Sequence, residues 1–179
     1  MKKINIEKAK NITLIILKGI ADVLDEGYEL FSYEAYKRSV YYQEGDPRRH
    51  TEWYYRQLKS IEHRGYIKIN QVNKSVELTN KGRIKLIENS PDQATDGKMR
   101  MVSYDIPEPL KSKRQQLCRS LRRIGFRQLQ KSLWACPFVK ADEVDLITKE
   151  LGLEKYVAYL IVEKSDIDDY LKNLFRDVL

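Results

Sequence analysis

Only two cysteines occur in the 179 residues, Cys118 and Cys136, far apart and with no second Cys or His at metal-ligand spacing. That excludes a disulfide framework and a zinc site, and buried or inert thiols are expected instead. No apolar run approaches the roughly 18 residues that span a bilayer. The opening MKKINIEKAKNITLIILKG breaks its short apolar patch with Lys18 and offers no small-residue cleavage site, which argues against a membrane partner or a secretory leader and for a cytoplasmic protein. Internal repeats and low-complexity tracts are missing too, and no histidine follows His63. What is present is 42% hydrophobic residues, enough to bury one medium core or two small ones.

The net charge of +7 is unevenly placed. Residues 48–85 hold ten Lys/Arg against three acids, residues 111–131 hold eight Lys/Arg and no acid, and the remainder is net acidic. Two basic segments on a chain with acidic ends point to two places where a polyanion is held, set against the plainer reading of two solvated helix faces.

The stretch NSPDQATDG, 89–97, carries Pro, Gly, Asp and Ser without hydrophobic period and reads as a linker between a domain at 1–88 and another at 98–179. In the first domain, ITLIILKGIADVL places Ile12, Ile16, Gly19, Ile20 and Val23 at helical intervals, with Gly27 as its stop. Ser32 is a cap for a second helix, stapled by Phe31 and Tyr36. Pro47 opens a third helix that Gly65 ends. At 100° per residue, Thr51, Tyr54, Tyr55, Leu58, Ile61 and Glu62 fall on one face of this helix; Arg49, Trp53, Arg56, Gln57, Ser60 and His63 fall on the other. The period then changes to two in YIKIN and SVELT, a hairpin, and Thr79 caps a closing helix.

Three helices, a hairpin and a helix in that order look like a winged helix-turn-helix. The segment RQLKSIEHRGYIKI…VELTNKGR resembles the end of the recognition helix and the wing of many bacterial repressors. A helix projecting Arg48, Arg49, His50, Trp53, Arg56 and Gln57 suits a major groove, where Arg pairs with guanine and Gln with adenine edges, while Lys68 and Lys74 on the hairpin touch phosphate or minor groove. The alternative is a winged fold that binds protein.

In the second domain KMRMVSYDIP reads as a strand, with Met99, Met101, Ser103 and Asp105 facing one way. A helix follows through PLKSKRQQLCRSLRRIGF with Leu110, Leu117, Leu121 and Ile124 as its buried line. RQLQKSLWACPF makes two short strands or one bent strand, ADEVDLITKELG a helix, KYVAYLIVEK a buried strand, and DIDDYLKNLFRDVL a terminal amphipathic helix. Strand, helix, strand pair, helix, strand is the order of a ferredoxin-like α/β sandwich, so the fold class is α+β.

The run DIPEPLKSKRQQLCRSLRRIGFRQLQKSLWACP, through Asp105, Ile106, Pro107, Gly125, Phe126, Gln130, Ser132, Leu133 and Trp134, resembles the central domain of PaaX-type repressors. That domain in turn resembles the small nuclease-fold subunit of the CRISPR adaptation machinery. With the winged domain before it, the likeness covers about residues 10–165, and the chain is expected to lack the further C-terminal domain of PaaX proteins.

The resemblance implies a twofold homodimer that binds double-stranded DNA as a transcriptional regulator, with no cofactor and an unknown small-molecule effector. It also implies an alternative, a Mg- or Mn-dependent nuclease in which Asp105 comes from both partners to hold the ion. The residues themselves favour a structural Asp105, accepting backbone N–H bonds at the turn into the helix behind Pro107 and Pro109. Lys113, Arg114, Arg119, Arg122 and Arg123 form a second basic patch, for DNA phosphates or for acids of a partner subunit, and Trp134 is expected in the core or a dimer interface.

Overall fold

The computed structural model describes residues 6–25, 47–70, 72, 75–89 and 94–178. The chain is α+β, with helices and two antiparallel sheets, and divides into two compact units, Met1–Leu86 and Ile87–Leu179.

The first unit contains α1 (Ile6–Asp25), α2 (Pro47–His63), β1 (Ile67–Ile69), β2 (Val76–Leu78) and all but the last residue of α3 (Asn80–Ile87). The second helix expected behind Ser32, its staple and the stop at Gly27 lie outside the described residues. Ile16, Leu17 and Ile20 of α1 close on Leu58 and Ile61 of α2 and on Ile67 and Val76 of the hairpin. Leu17 was not in the expected stripe, and Gly19, which was, faces solvent. The helical arc that α1 buries is therefore shifted toward Leu17 and away from Gly19.

Local signals end and start these elements as expected. Gly65, at φ 75, lets α2 turn back on itself. Its N–H donates to Glu62 O and the N–H of Tyr66 to Ile61 O, which satisfies two carbonyls of the last turn. Thr79 accepts the N–H of Gly82 on Oγ1 at 3.1 Å and donates to Gly65 O at 2.7 Å. One hydroxyl thus caps α3 and ties it to the end of α2. Gly82 is buried against this joint: a Cβ there would lie 2.2 Å from Tyr66 O.

The second unit runs β3 (Met99–Tyr104), α4 (Lys111–Arg123), β4 (Arg127–Gln130), β5 (Leu133–Cys136), α5 (Ala141–Leu151), β6 (Val157–Val162) and α6 (Asp168–Leu174). Its four strands are antiparallel in the order β4-β5-β3-β6. RQLQKSLWAC is two strands joined across Lys131 and Ser132, with a register shift between Gln128 and Gln130 that sets Leu129 apart as a bulge. Residues 94–97 belong structurally with this unit: Ala94 O accepts from Val139 N–H and Thr95 Oγ1 donates to Pro137 O.

Leu117 and Leu121 of α4, with Ile124 just after it, are buried as expected, whereas Leu110 is only half-buried because it ends the short 3-10 turn Glu108–Leu110 before the helix begins. Met101 and Ala135 pack instead with Leu171 and Phe175 from the α6 end of the chain. Arg127 reinforces that contact, donating to Leu174 O and Asp177 while lying 5.0 Å from the Phe175 ring centroid.

Strand β6 departs from the expected buried strand. It hydrogen-bonds only β3 and forms one edge of the sheet; Leu160 is 44% and Ile161 60% exposed. An apolar run identifies a strand, but its place in the sheet depends on pairings distant in sequence.

Candidate functional site

Three groups of residues carry the sequence expectations: the exposed side of α2 with the hairpin, the turn around Asp105, and the basic helix α4.

On α2, burial of Leu58 and Ile61 turns the opposite side outward. Trp53 is 44% exposed, Arg56, Ser60 and His63 are exposed, and Gln57 is half-buried. Tyr55 was expected inside and is 49% exposed. It lies at the border of the apolar arc, its ring 5.7 Å from Lys59 Nζ, and a Tyr at such a border keeps its hydroxyl in water. Glu62, from the inner face, is half-buried for a stated reason: it accepts the N–H of Ile69 and the ammonium of Lys59 at 2.9 Å, joining α2 to β1. The carboxylate holds the Lys59 ammonium above its ordinary range. The side chains of Arg48, Arg49, His50, Thr51 and Tyr54, and all of Lys74, lie outside the described residues.

Lys68 is exposed at the middle of β1, opposite Glu77. Arg64 and Lys81, which the sequence reading did not single out, gather around Tyr66 instead: Arg64 donates to Thr13 Oγ1, Lys81 to Arg64 O, and both cations lie within 6 Å of the Tyr66 ring. These two charges brace the joint between α2, the hairpin and α3.

Asp105 was expected to organise its turn by accepting backbone N–H bonds. It does not: its carboxylate is exposed, no hydrogen bond from the described residues reaches it, and its own N–H donates to Tyr156 O. Arg114 braces the turn differently, from the following helix, donating to Ile106 O and to Glu108, each at 3.0 Å. Arg114, with Lys111 beside it, holds the Glu108 carboxyl below the usual range. The turn is held through a carbonyl oxygen, Ile106 O, which needs a donor such as a guanidinium and which a carboxylate cannot engage.

The same geometry bears on a metal. With Glu108 engaged by two cations, one chain offers a single unpaired carboxylate here, and among the described residues no three His, Cys, Asp or Glu gather. One chain's carboxylate supplies fewer oxygen ligands than a divalent ion takes, so the metal alternative requires the second Asp105 of a partner copy.

Behind the turn, Tyr104 Oη donates to Lys131 O at 2.9 Å and lies 3.1 Å from Cys118 Sγ. Burial raises the Tyr104 hydroxyl above its ordinary range, and the contact with Cys118 adds to this. Cys136 is fully buried and its thiol is pushed up to about 11 by desolvation; Cys118 is only half-buried.

The basic patch on α4 is not one surface. Lys113 and Arg114 are half-buried, and Arg123 pairs with Glu88 at 2.8 Å. Arg122 lies over the Trp134 ring at 5.8 Å; Trp134 is core, 1% exposed, and its indole N–H has no well-formed hydrogen bond among the described residues. Arg119 is exposed.

A charged group the sequence reading missed is Arg100, 3% exposed in β3. It pairs with Asp96 at 2.6 Å and holds that carboxyl below its ordinary range. The spacing of four residues was visible, but a charged residue inside a strand gives no sign of which face hides it.

Residues 92–172 match the family model described as the PaaX protein central Cas2-like domain. No curated protein and no solved structure matches the chain.

Proposed function

We propose, from the match of residues 92–172 to the PaaX central Cas2-like domain, that the chain is a transcriptional regulator that binds double-stranded DNA. Its first unit acts as a winged helix-turn-helix, with α2 as the recognition helix and the β1–β2 hairpin as the wing. The second unit is a ferredoxin-like sandwich that pairs two copies, and the protein works in the cytoplasm as a repressor on inverted repeats.

The observation that carries this reading is the division of α2. Leu58 and Ile61 anchor one side in the core, while Trp53 and Arg56 stand exposed on the other and the helix runs directly into a two-stranded hairpin bearing Lys68. An exposed Arg suits a guanine edge or a phosphate, an exposed Trp suits the sugar and base surface of a groove, and Lys68 suits a backbone phosphate. Pairing through the second unit draws support from β6, an apolar edge that another chain would cover.

Footprinting of the full chain across the genomic DNA around its own gene tests the proposal. Protection of an inverted repeat is expected, its half-site centres one or two helical turns apart, about 34–36 Å per turn. Uniform, unprotected cleavage patterns at all concentrations would refute it.

A further inference from the structure

At one end of the four-stranded sheet, between α4, the end of β3 and the β4–β5 turn, lies a cleft of about 540 Å³. Organic ligands and cofactors are commonly held in clefts of about 300–1,000 Å³. Its walls are braced from both sides. Tyr104 Oη and Gln128 Nε2 both donate to Lys131 O, and the N–H of Tyr104 donates to Ser132 O, so the turn is bound to the strand beside it. Arg114 fixes the opposite lip through Ile106 O.

The charges lining this cleft are unequally used. Arg114 is committed to Ile106 O and Glu108. Arg119 and Lys131 reach the cleft from two different elements, and neither is ion-paired with a described acid. Asp105 lines it too, its carboxylate without a hydrogen bond from any described residue. Two unpaired cations call for a ligand carrying close to two negative charges, which a phosphate monoester supplies at neutral pH. A bare dianion would meet Asp105 as a like charge. A phosphate on a body rich in hydroxyl or amine donors would satisfy Asp105 as well, because an ionised carboxylate is an acceptor only.

We propose that this cleft binds a small phosphate monoester with donor groups on its body, a nucleotide or a sugar phosphate: Arg119 and Lys131 take the phosphate, Asp105 accepts from the donors, and Ser132 and Gln115 border the site. The proposal stands apart from DNA binding, since none of these residues belongs to α2 or the hairpin.

Calorimetric titration of the full chain, without DNA, tests it with four probes: adenosine monophosphate, glucose 6-phosphate, adenosine and inorganic phosphate. At least one monoester is expected to bind, and adenosine and inorganic phosphate to bind at least about tenfold more weakly. Which monoester binds more tightly distinguishes nucleotide from sugar phosphate. Arg119→Ala and Lys131→Ala should each weaken the monoester about tenfold, and Asp105→Asn should narrow its advantage over inorganic phosphate. Lys149→Ala, on α5 and paired with Asp145, should change nothing.

Cys118 lines the same cleft and gives a readout that needs no variant. Its alkylation by iodoacetamide should slow when the bound monoester covers it, while the buried Cys136 stays unreactive throughout. The proposal is overturned if neither monoester binds, if inorganic phosphate binds as well as they do, if both alanine variants bind like the wild type, or if Cys118 reacts at the same rate with ligand present.

Discussion

Replacing Gly82 by Ala sets two physical effects against each other at one atom. Gly82 is the third residue of a helix, where Ala favours the helical state by about 0.5–1 kcal/mol. The added Cβ, however, would fall 2.2 Å from Tyr66 O and 3.1 Å from Leu78 Cδ1. A backbone oxygen cannot rotate away, so α3 and the start of the hairpin must separate by roughly 1 Å, an overpacking strain worth about 1–3 kcal/mol. That separation stretches the Thr79 N–H bond to Tyr66 O, now 3.1 Å, and the Thr79 hydroxyl bond to Gly65 O, now 2.7 Å, each worth about 1 kcal/mol net. The balance is a loss of about 2–4 kcal/mol. Urea unfolding of the full chain followed by circular dichroism, with amide exchange of Thr79 and Ile67 reporting on the first unit, measures it. Thr79→Ala, which removes the cap and orphans Gly65 O, should cost about 1–2 kcal/mol by the same assay. If Gly82→Ala leaves exchange unchanged or slows it, the close approach of α3 to the hairpin is not real and the reasoning fails.

Other expectations follow from the second unit. Phe126→Ala, in a side chain 1% exposed, should destabilise by about 3–5 kcal/mol in urea unfolding, whereas Trp134→Phe should cost far less, because the indole N–H it removes has no well-formed hydrogen bond among the described residues. Arg100 depresses the Asp96 carboxyl, so this pair's contribution is present above the unfolded carboxylate pKa of about 3.9 and is lost as pH falls through the lower folded value; thermal scans from pH 6 down to 2 should show the loss, and Asp96→Asn should remove part of it. Leu160→Lys with Ile161→Lys should shift the solution mass of the full chain from two copies to one, read by light scattering, and an unchanged mass would place pairing elsewhere. Labelled DNA incubated with Mg²⁺ or Mn²⁺ should stay intact; cleavage by the wild type that Asp105→Asn abolishes would restore the nuclease reading.

Features written in neighbouring residues were legible from the sequence. Gly65 ends α2 and Thr79 caps α3 through bonds that span only a few positions or join ends already adjacent. The buried line of α4 follows from its period, as does the outward side of α2, apart from Tyr55 at the edge of the arc. Features that depend on distant parts of the chain were not legible. The edge position of β6 is set by its pairing with β3, 53 to 63 residues away, from Tyr104 with Val157 to Met99 with Val162. Asp105 does not take its expected role, and the turn is braced instead by Arg114, which reaches Ile106 O from the next element. The cleft between α4 and the β4–β5 turn has no local signature, since it needs Arg119, Lys131 and Asp105 brought together from three elements.

The most direct test of the central claim is the affinity of the full chain for its footprinted DNA as a function of salt, for the wild type and for Arg56→Ala. The account predicts a log–log slope near −5 if about six phosphates are neutralised, and a loss of about 1–3 kcal/mol, or a slope shallower by about one, in the variant. Salt-independent binding, or equal affinity and slope for the two proteins, would contradict it.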